Sequence, residues 1–123
     1  MRFESYRKDV DVSPEDMVRT VFARVRERDP TVSELYASDA TLRSADGLFE
    51  GRQAIAGFYD RVRAPGVQPH IDDLFVNLPL VVALLSVTTS DGEVVRVADV
   101  FEVGEDGIRS LQICHQAPRE TGP

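Results

Sequence analysis

Apolar residues recur along this chain first at helical spacing and then in alternation. Met17, Val18, Val21, Phe22 and Val25 fall on one stripe of a helix, while Arg19, Arg24, Arg26 and Arg28 fall mostly elsewhere. Ser13-Pro14-Glu15-Asp16 marks its start: a capping side chain, a proline suited to the first helical position, and acids set against the positive end of the helix dipole. Asp29-Pro30 ends it and can cap a second, shorter helix in which Val32, Leu35 and Tyr36 form a narrow apolar stripe. Ile55, Phe58, Tyr59 and Val62, at i, i+3, i+4 and i+7, predict a third helix closed by Pro65-Gly66. Residues 41–44 and 48–50 flank the turn signal Asp46-Gly47 and predict a hairpin of short strands.

Beyond Gly66 the period becomes two. Breaks at Leu78-Pro79, Ser90-Asp91-Gly92 and Glu105-Asp106-Gly107 divide the remainder into four strands of an antiparallel meander. Helices first and sheet afterwards is the order of an α+β domain, with the helices on one face of a curved antiparallel sheet. Residues 1–12 read as an N-terminal arm, 13–116 as one domain and 117–123, with Pro118, Gly122 and Pro123, as a frayed tail.

One residue interrupts this pattern. In the run from Val95 to Val103, strand alternation puts Val95, Val97, Asp99, Phe101 and Val103 on one side, and Asp99 is the only charge among them. A carboxylate among apolar neighbours is costly to ionise, so either a buried donor satisfies it or its pKa rises and it keeps its proton. The protonated form is a hydrogen-bond and proton donor. His115 shares a face with Leu111 and Ile113 at the end of the last strand, directed toward the same interior and able to relay a proton.

Composition narrows the class. The 123 residues are 42% hydrophobic and 28% charged, as in a soluble globular domain. The 14 basic residues against 21 acidic ones give a formal charge of −7, which disfavours nucleic acid and anionic membrane as partners. The longest apolar run, 78–85, is broken by Pro79 and falls far short of the ~20 residues that span a bilayer. The single cysteine, Cys114, excludes an internal disulfide, reads as a small buried hydrophobe, and with the charged first ten residues points to the cytoplasm. There is no Gly-rich phosphate loop, no paired-cysteine zinc site and no His-Glu-x-x-His helix, and the two histidines have no ligand spacing. Neither a metal nor a cofactor is expected.

The order of elements, with Leu35-Tyr36-Ala37-Ser38-Asp39-Ala40-Thr41, Phe49-Glu50-Gly51-Arg52-Gln53-Ala54-Ile55 and Asp99-Val100-Phe101-Glu102-Val103, resembles the nuclear transport factor 2-like (SnoaL-like) superfamily over nearly the whole chain. That resemblance implies a cone: a bent sheet wrapped around about three helices, with a central apolar pocket. It is closest in pattern to the bacterial ketosteroid isomerases, around Ala40-Thr41, Phe58-Tyr59 and Asp99-Val100-Phe101. By that resemblance Asp99 stands at the protonated acid of the oxyanion hole, a principle established for that isomerase and carried over here, and Tyr59 at a supporting tyrosine.

Two family positions differ. Ser44 stands where the family has its proton-shuttling carboxylate, and Val21 where it has the principal oxyanion tyrosine. Serine is a poor base toward carbon and valine donates no hydrogen bond, so ordinary steroid isomerisation is disfavoured. Asp46, Asp72, Asp73, His70 and His115 are the alternatives for the base. The expected catalytic set is Asp99, Tyr59 and His115, with Val21, Ser44, Phe58, Phe75, Phe101 and Ile113 contacting substrate. The function these imply is proton transfer on an apolar, ketone-bearing molecule (steroid, terpenoid or polyketide-like) with enolate stabilisation by an isomerase or cyclase. The alternative is a non-catalytic ligand-binding protein, and the resemblance implies a homodimer in either case. An epoxide-hydrolase arrangement needs carboxylates bridged by arginine, whereas Arg96 and Asp99, three apart, take opposite faces.

Overall fold

In the computed structural model, residues 13–63 and 67–115 are described. The expected arm, the tail and the Pro65-Gly66 stop signal lie outside them. Helix α1 spans Pro14–Arg26, with the Ser13 hydroxyl accepting the Asp16 N–H at 3.0 Å and Glu15 and Asp16 in its first turn. Its stripe of Val18, Val21, Phe22 and Val25 is buried. A 3-10 helix follows at Pro30–Leu35, begun by the Asp29 carboxylate, which accepts the Thr31 N–H at 2.9 Å.

The expected second apolar stripe is cut short at Leu35, because Tyr36 opens a strand instead. Strand β1 (Tyr36–Ser44) and β2 (Gly47–Glu50) make the first hairpin, and α2 (Arg52–Arg63) follows. The Arg52 guanidinium donates to the Tyr36 carbonyl at 2.7 Å, fastening the start of α2 to the start of β1. Then come β3 (Gln68–Asn77), β4 (Leu80–Thr88), β5 (Val94–Gly104) and β6 (Gly107–His115). They form one open, curved six-stranded sheet in the order β2-β1-β6-β5-β4-β3.

Four neighbouring pairs are antiparallel, but β1 and β6 run parallel, so the sheet is mixed rather than purely antiparallel. Local turn signals specify hairpins and carry no information about how strands far apart in sequence meet. Helix α1 packs on β3 and β4, and α2 on β1 and β2, so the helices cover the two halves of one sheet face. Tyr36, Leu42, Ile55, Phe101 and Ile108 are among the largest fully buried side chains. Fully burying an aliphatic or aromatic side chain of this kind contributes about 1.5–3 kcal/mol.

One irregularity decides which side chains of β3 face inward. β3 and β4 keep register up to Ile71↔Leu85 and resume at Asp73↔Leu84, leaving Asp72 as an extra residue. The Ser86 hydroxyl donates to the Asp72 carboxylate at 2.6 Å, holding the bulge on the outer face. Before it Pro69 and Ile71 turn inward; after it Leu74 does, and Phe75, opposite Val82, turns outward. Among the described residues no helix is long and apolar enough to cross a membrane.

Candidate functional site

Between the helices and the sheet lies a cavity of about 310 Å³. Phe22 and Val25 of α1 and Phe58, Tyr59 and Val62 of α2 form one wall. Leu85, Val87, Val97, Leu111 and Ile113 form the other, each at an inward position of its strand. Ser44, Ala45 and Asp46 of the first hairpin and His115 at the end of β6 border it as well. Ala45, Asp46 and His115 are solvent-exposed, so this polar end is the mouth.

Asp99 is the only buried charged residue among those described, 5% exposed amid buried Val97, Phe101 and Val103. Its Oδ1 has no hydrogen-bond partner. Leaving a buried acceptor unsatisfied costs about 1–3 kcal/mol, so such an atom needs an account. Burial alone pushes its pKa from 3.8 up to about 7, and the acid thus keeps its proton on the acid side of neutrality and donates.

Tyr59 adds a second polar group. Its hydroxyl lies 2.7 Å from that of Tyr36, which is fully buried and does not border the cavity. Burial raises the Tyr59 pKa, the hydrogen bond with Tyr36 works against that rise, and the Asp99 charge adds to it. Tyr36 is raised by burial first, then by Tyr59 and Asp99. The two phenols and the carboxyl thus form one electrostatically coupled group.

His115 stands opposite Val97 and Asp99 opposite Ile113, which makes them diagonal neighbours on adjacent strands, roughly 7 Å apart at the backbone. Of the expected site residues, Asp99, Tyr59, His115, Ser44, Phe58 and Ile113 come together around the cavity. Phe75 does not: the Asp72 bulge reverses the alternation and leaves it 55% exposed on the outer face. Val21 is fully buried on the core-facing side of α1, leaving Phe22 and Val25 to reach the cavity. Phe101, also fully buried, packs edge-on against Phe22 at 5.9 Å, beneath the cavity rather than on it.

The alternative bases divide in the same way. His70, Asp72 and Asp73 are exposed and absent from the lining, whereas Asp46 is on the rim. Ser44 accepts the Asp46 N–H at 3.1 Å as part of the turn. Arg96 is exposed on the face opposite Asp99, and Cys114, paired with Ala98, is exposed rather than buried because it has the outward parity of its strand. Among the described residues no three His, Cys, Asp or Glu side chains converge as a metal site. Sequence reasoning missed Tyr36 and the wall residues Leu85, Val87 and Val97. The last was legible as an inward neighbour of Asp99.

Residues 18–110 match the model of a family described as SnoaL-like domain. No curated protein matches the sequence. Among solved structures, a protein from Sphaerobacter thermophilus is 26% identical with a TM-score of 0.78, over 88% of this chain and 100% of that one. An epoxide hydrolase/cyclase-like enzyme with a role in pyran ring formation in the polyether salinomycin is 20% identical, TM-score 0.74, over 84% and 90%. A hypothetical protein with a ketosteroid isomerase-like fold from Catenulispora acidiphila, in complex with trimethylamine, is 22% identical, TM-score 0.72, over 80% and 83%.

Proposed function

This chain belongs to the SnoaL-like domain family, and on that footing we propose that it takes a small, largely apolar, carbonyl-bearing molecule into its cavity and moves a proton on it. The observation that carries this reading is Asp99: buried, unpartnered at Oδ1 and facing an apolar cavity. A neutral carboxyl there donates to the carbonyl oxygen as negative charge develops, in surroundings where water does not compete. An imidazole nitrogen of His115 accepts the proton from the carbon next to the carbonyl, giving an enol. The proton then returns at another carbon, which is isomerisation, or the enol carbon attacks a second carbonyl of the same molecule, which is cyclisation. The cyclase-like and isomerase-like descriptions of structurally similar proteins are in keeping with this chemistry.

The reading is tested by turnover of a panel of unsaturated ketones and polyketide-like diketones with the parent protein and with Asp99→Asn and Asp99→Leu. Loss of turnover in Asp99→Leu supports it, and equal rates in all three proteins would overturn it.

A second reading, a ligand-binding homodimer without chemistry, is favoured by Ser44 at the family's base position and by the exposed Phe75, Leu80 and Leu84 on the outer sheet face. Ligand-dependent thermal stabilisation with no product would select it.

A further inference from the structure

We propose that the cavity is also a binding site for apolar tertiary amines, with the Asp99 carboxylate holding the ammonium nitrogen. This goes beyond the carbonyl reading, because it uses Asp99 as an anion that accepts rather than as an acid that donates.

The fixed charges around the cavity are of one sign. Among its described lining residues Asp99 and Asp46 are acids, and there is no lysine or arginine. A carboxylate or phosphate ester entering that space would meet repulsion and no partner, whereas a cation is drawn in past the exposed Asp46 at the mouth. Inside, the nitrogen finds an uncommitted acceptor: Asp99 is 5% exposed, and its Oδ1 has no hydrogen-bond partner.

The remaining surface decides between amines. Phe22, Phe58, Leu85, Val97 and Leu111 make most of it apolar. A tertiary ammonium carries one N–H, which Asp99 takes, and three alkyl groups suited to these walls. A primary ammonium would bring two further donors to a lining with few acceptors. Aromatic rings are also the apolar side chains that best tolerate a neighbouring cation.

One proton completes the pair. As the Asp99 O–H breaks the amine N–H forms, leaving carboxylate and ammonium joined by a hydrogen bond, so no bare charge is buried. The titratable groups around Asp99 are Tyr59 from α2, Tyr36 from β1 and His115 from β6, with Asp46 on the rim. Helix α1 and strands β3 and β4 add only apolar side chains to the described lining. His115 alone in this set can gain a positive charge.

Three probes of one shape test the proposal by calorimetry on both sides of neutrality: N,N-dimethylphenethylamine, isopentylbenzene, in which carbon replaces the nitrogen, and benzylacetone, which carries a ketone there. Near neutrality the amine should bind roughly ten- to a hundredfold more tightly than the hydrocarbon. Below the Asp99 midpoint of about 7 the free acid and the free ammonium each hold a proton and the pair keeps one, so amine affinity should rise about tenfold per pH unit up to that midpoint and then level off. Benzylacetone needs the acid, and its affinity should fall as pH passes above the midpoint. The amine's slope should vanish in Asp99→Asn and survive in His115→Gln. Equal binding of amine and hydrocarbon, or an amine affinity that does not change with pH, overturns this inference, and the carbonyl reading stands if benzylacetone still follows the acid. The amine's slope without any binding of benzylacetone overturns the carbonyl reading and leaves this one in place. Should Asp99→Asn not fold, the comparison of amine with hydrocarbon in the parent protein decides by itself.

Discussion

Asp99 and His115 lie one diagonal step apart on neighbouring strands, and both border the same cavity from its sheet side. A donor and a proton acceptor so placed can serve the oxygen and the adjacent carbon of one ligand. Replacing His115 with Ala should therefore lower turnover by about 10²–10⁴-fold, the usual contribution of a positioned general base, while ligand affinity changes little. Steady-state kinetics separates the two effects.

Stability should fall as pH rises from about 4 toward 7. The Asp99 pKa is raised by burial, so between the unfolded value of 3.8 and the folded value of about 7 the native state holds a proton that the unfolded chain has released. The contribution is fully present below the unfolded value and is lost as pH passes through the folded one, amounting to at most about 4 kcal/mol. Urea unfolding against pH should show this slope in the parent protein and its loss in Asp99→Asn.

The Tyr36–Tyr59 pair predicts an asymmetry. Tyr59→Phe leaves the enclosed Tyr36 hydroxyl unpaired and should cost about 1–3 kcal/mol. Tyr36→Phe leaves Tyr59 with the cavity to turn to and should cost about 1 kcal/mol or less. Denaturant midpoints at constant m-value measure both.

Gly47 and Gly107 follow the two-residue turns Ala45-Asp46 and Glu105-Asp106 and both have positive φ, 132° and 119°. Their surroundings differ: a Cβ on Gly47 meets nothing within 4 Å, whereas one on Gly107 would lie 2.7 Å from the Leu35 carbonyl oxygen. Gly47→Ala should cost about 1–2 kcal/mol through backbone strain. Gly107→Ala should cost clearly more, because rigid backbone must also move. Thermal unfolding of the two variants isolates the difference.

If two copies associate through the outer sheet face, Phe75→Glu and Leu84→Lys should each shift the protein toward monomer in sedimentation while its far-UV circular dichroism stays the same. Both residues are exposed, so neither substitution opens the core.

Much of this architecture can be read from the chain because its signals are local. The alternation through Val97, Asp99, Phe101 and Val103 correctly separates buried from half-buried positions, and Ser13-Pro14 begins a helix where capping chemistry says it should. The exceptions have identifiable causes. By spacing Tyr36 extends an apolar stripe, yet the helix stops at Leu35 and the Tyr36 hydroxyl pairs with Tyr59, 23 residues away, a long-range contact no periodicity reports. Strand parity puts Phe75 on the cavity, and one bulged residue reverses that parity. The parallel pairing of β1 with β6 joins segments separated by most of the domain.

The extra residue at Asp72 does more than redirect Phe75. Along β3 it reverses the parity: Pro69 before it looks toward the ligand side, while Phe75 after it looks outward, on the face that Leu80 and Leu84 of β4 take by plain alternation. Deleting Asp72 would leave Asp73↔Leu84, Leu74↔Ala83 and Phe75↔Val82 in place and Phe75 outside, whereas pairing Asp72 regularly with Leu84 would draw Phe75 inward and push Leu74 into water. The width of the binding hollow and the stickiness of the molecule's exterior are thus under separate control, divided at one position.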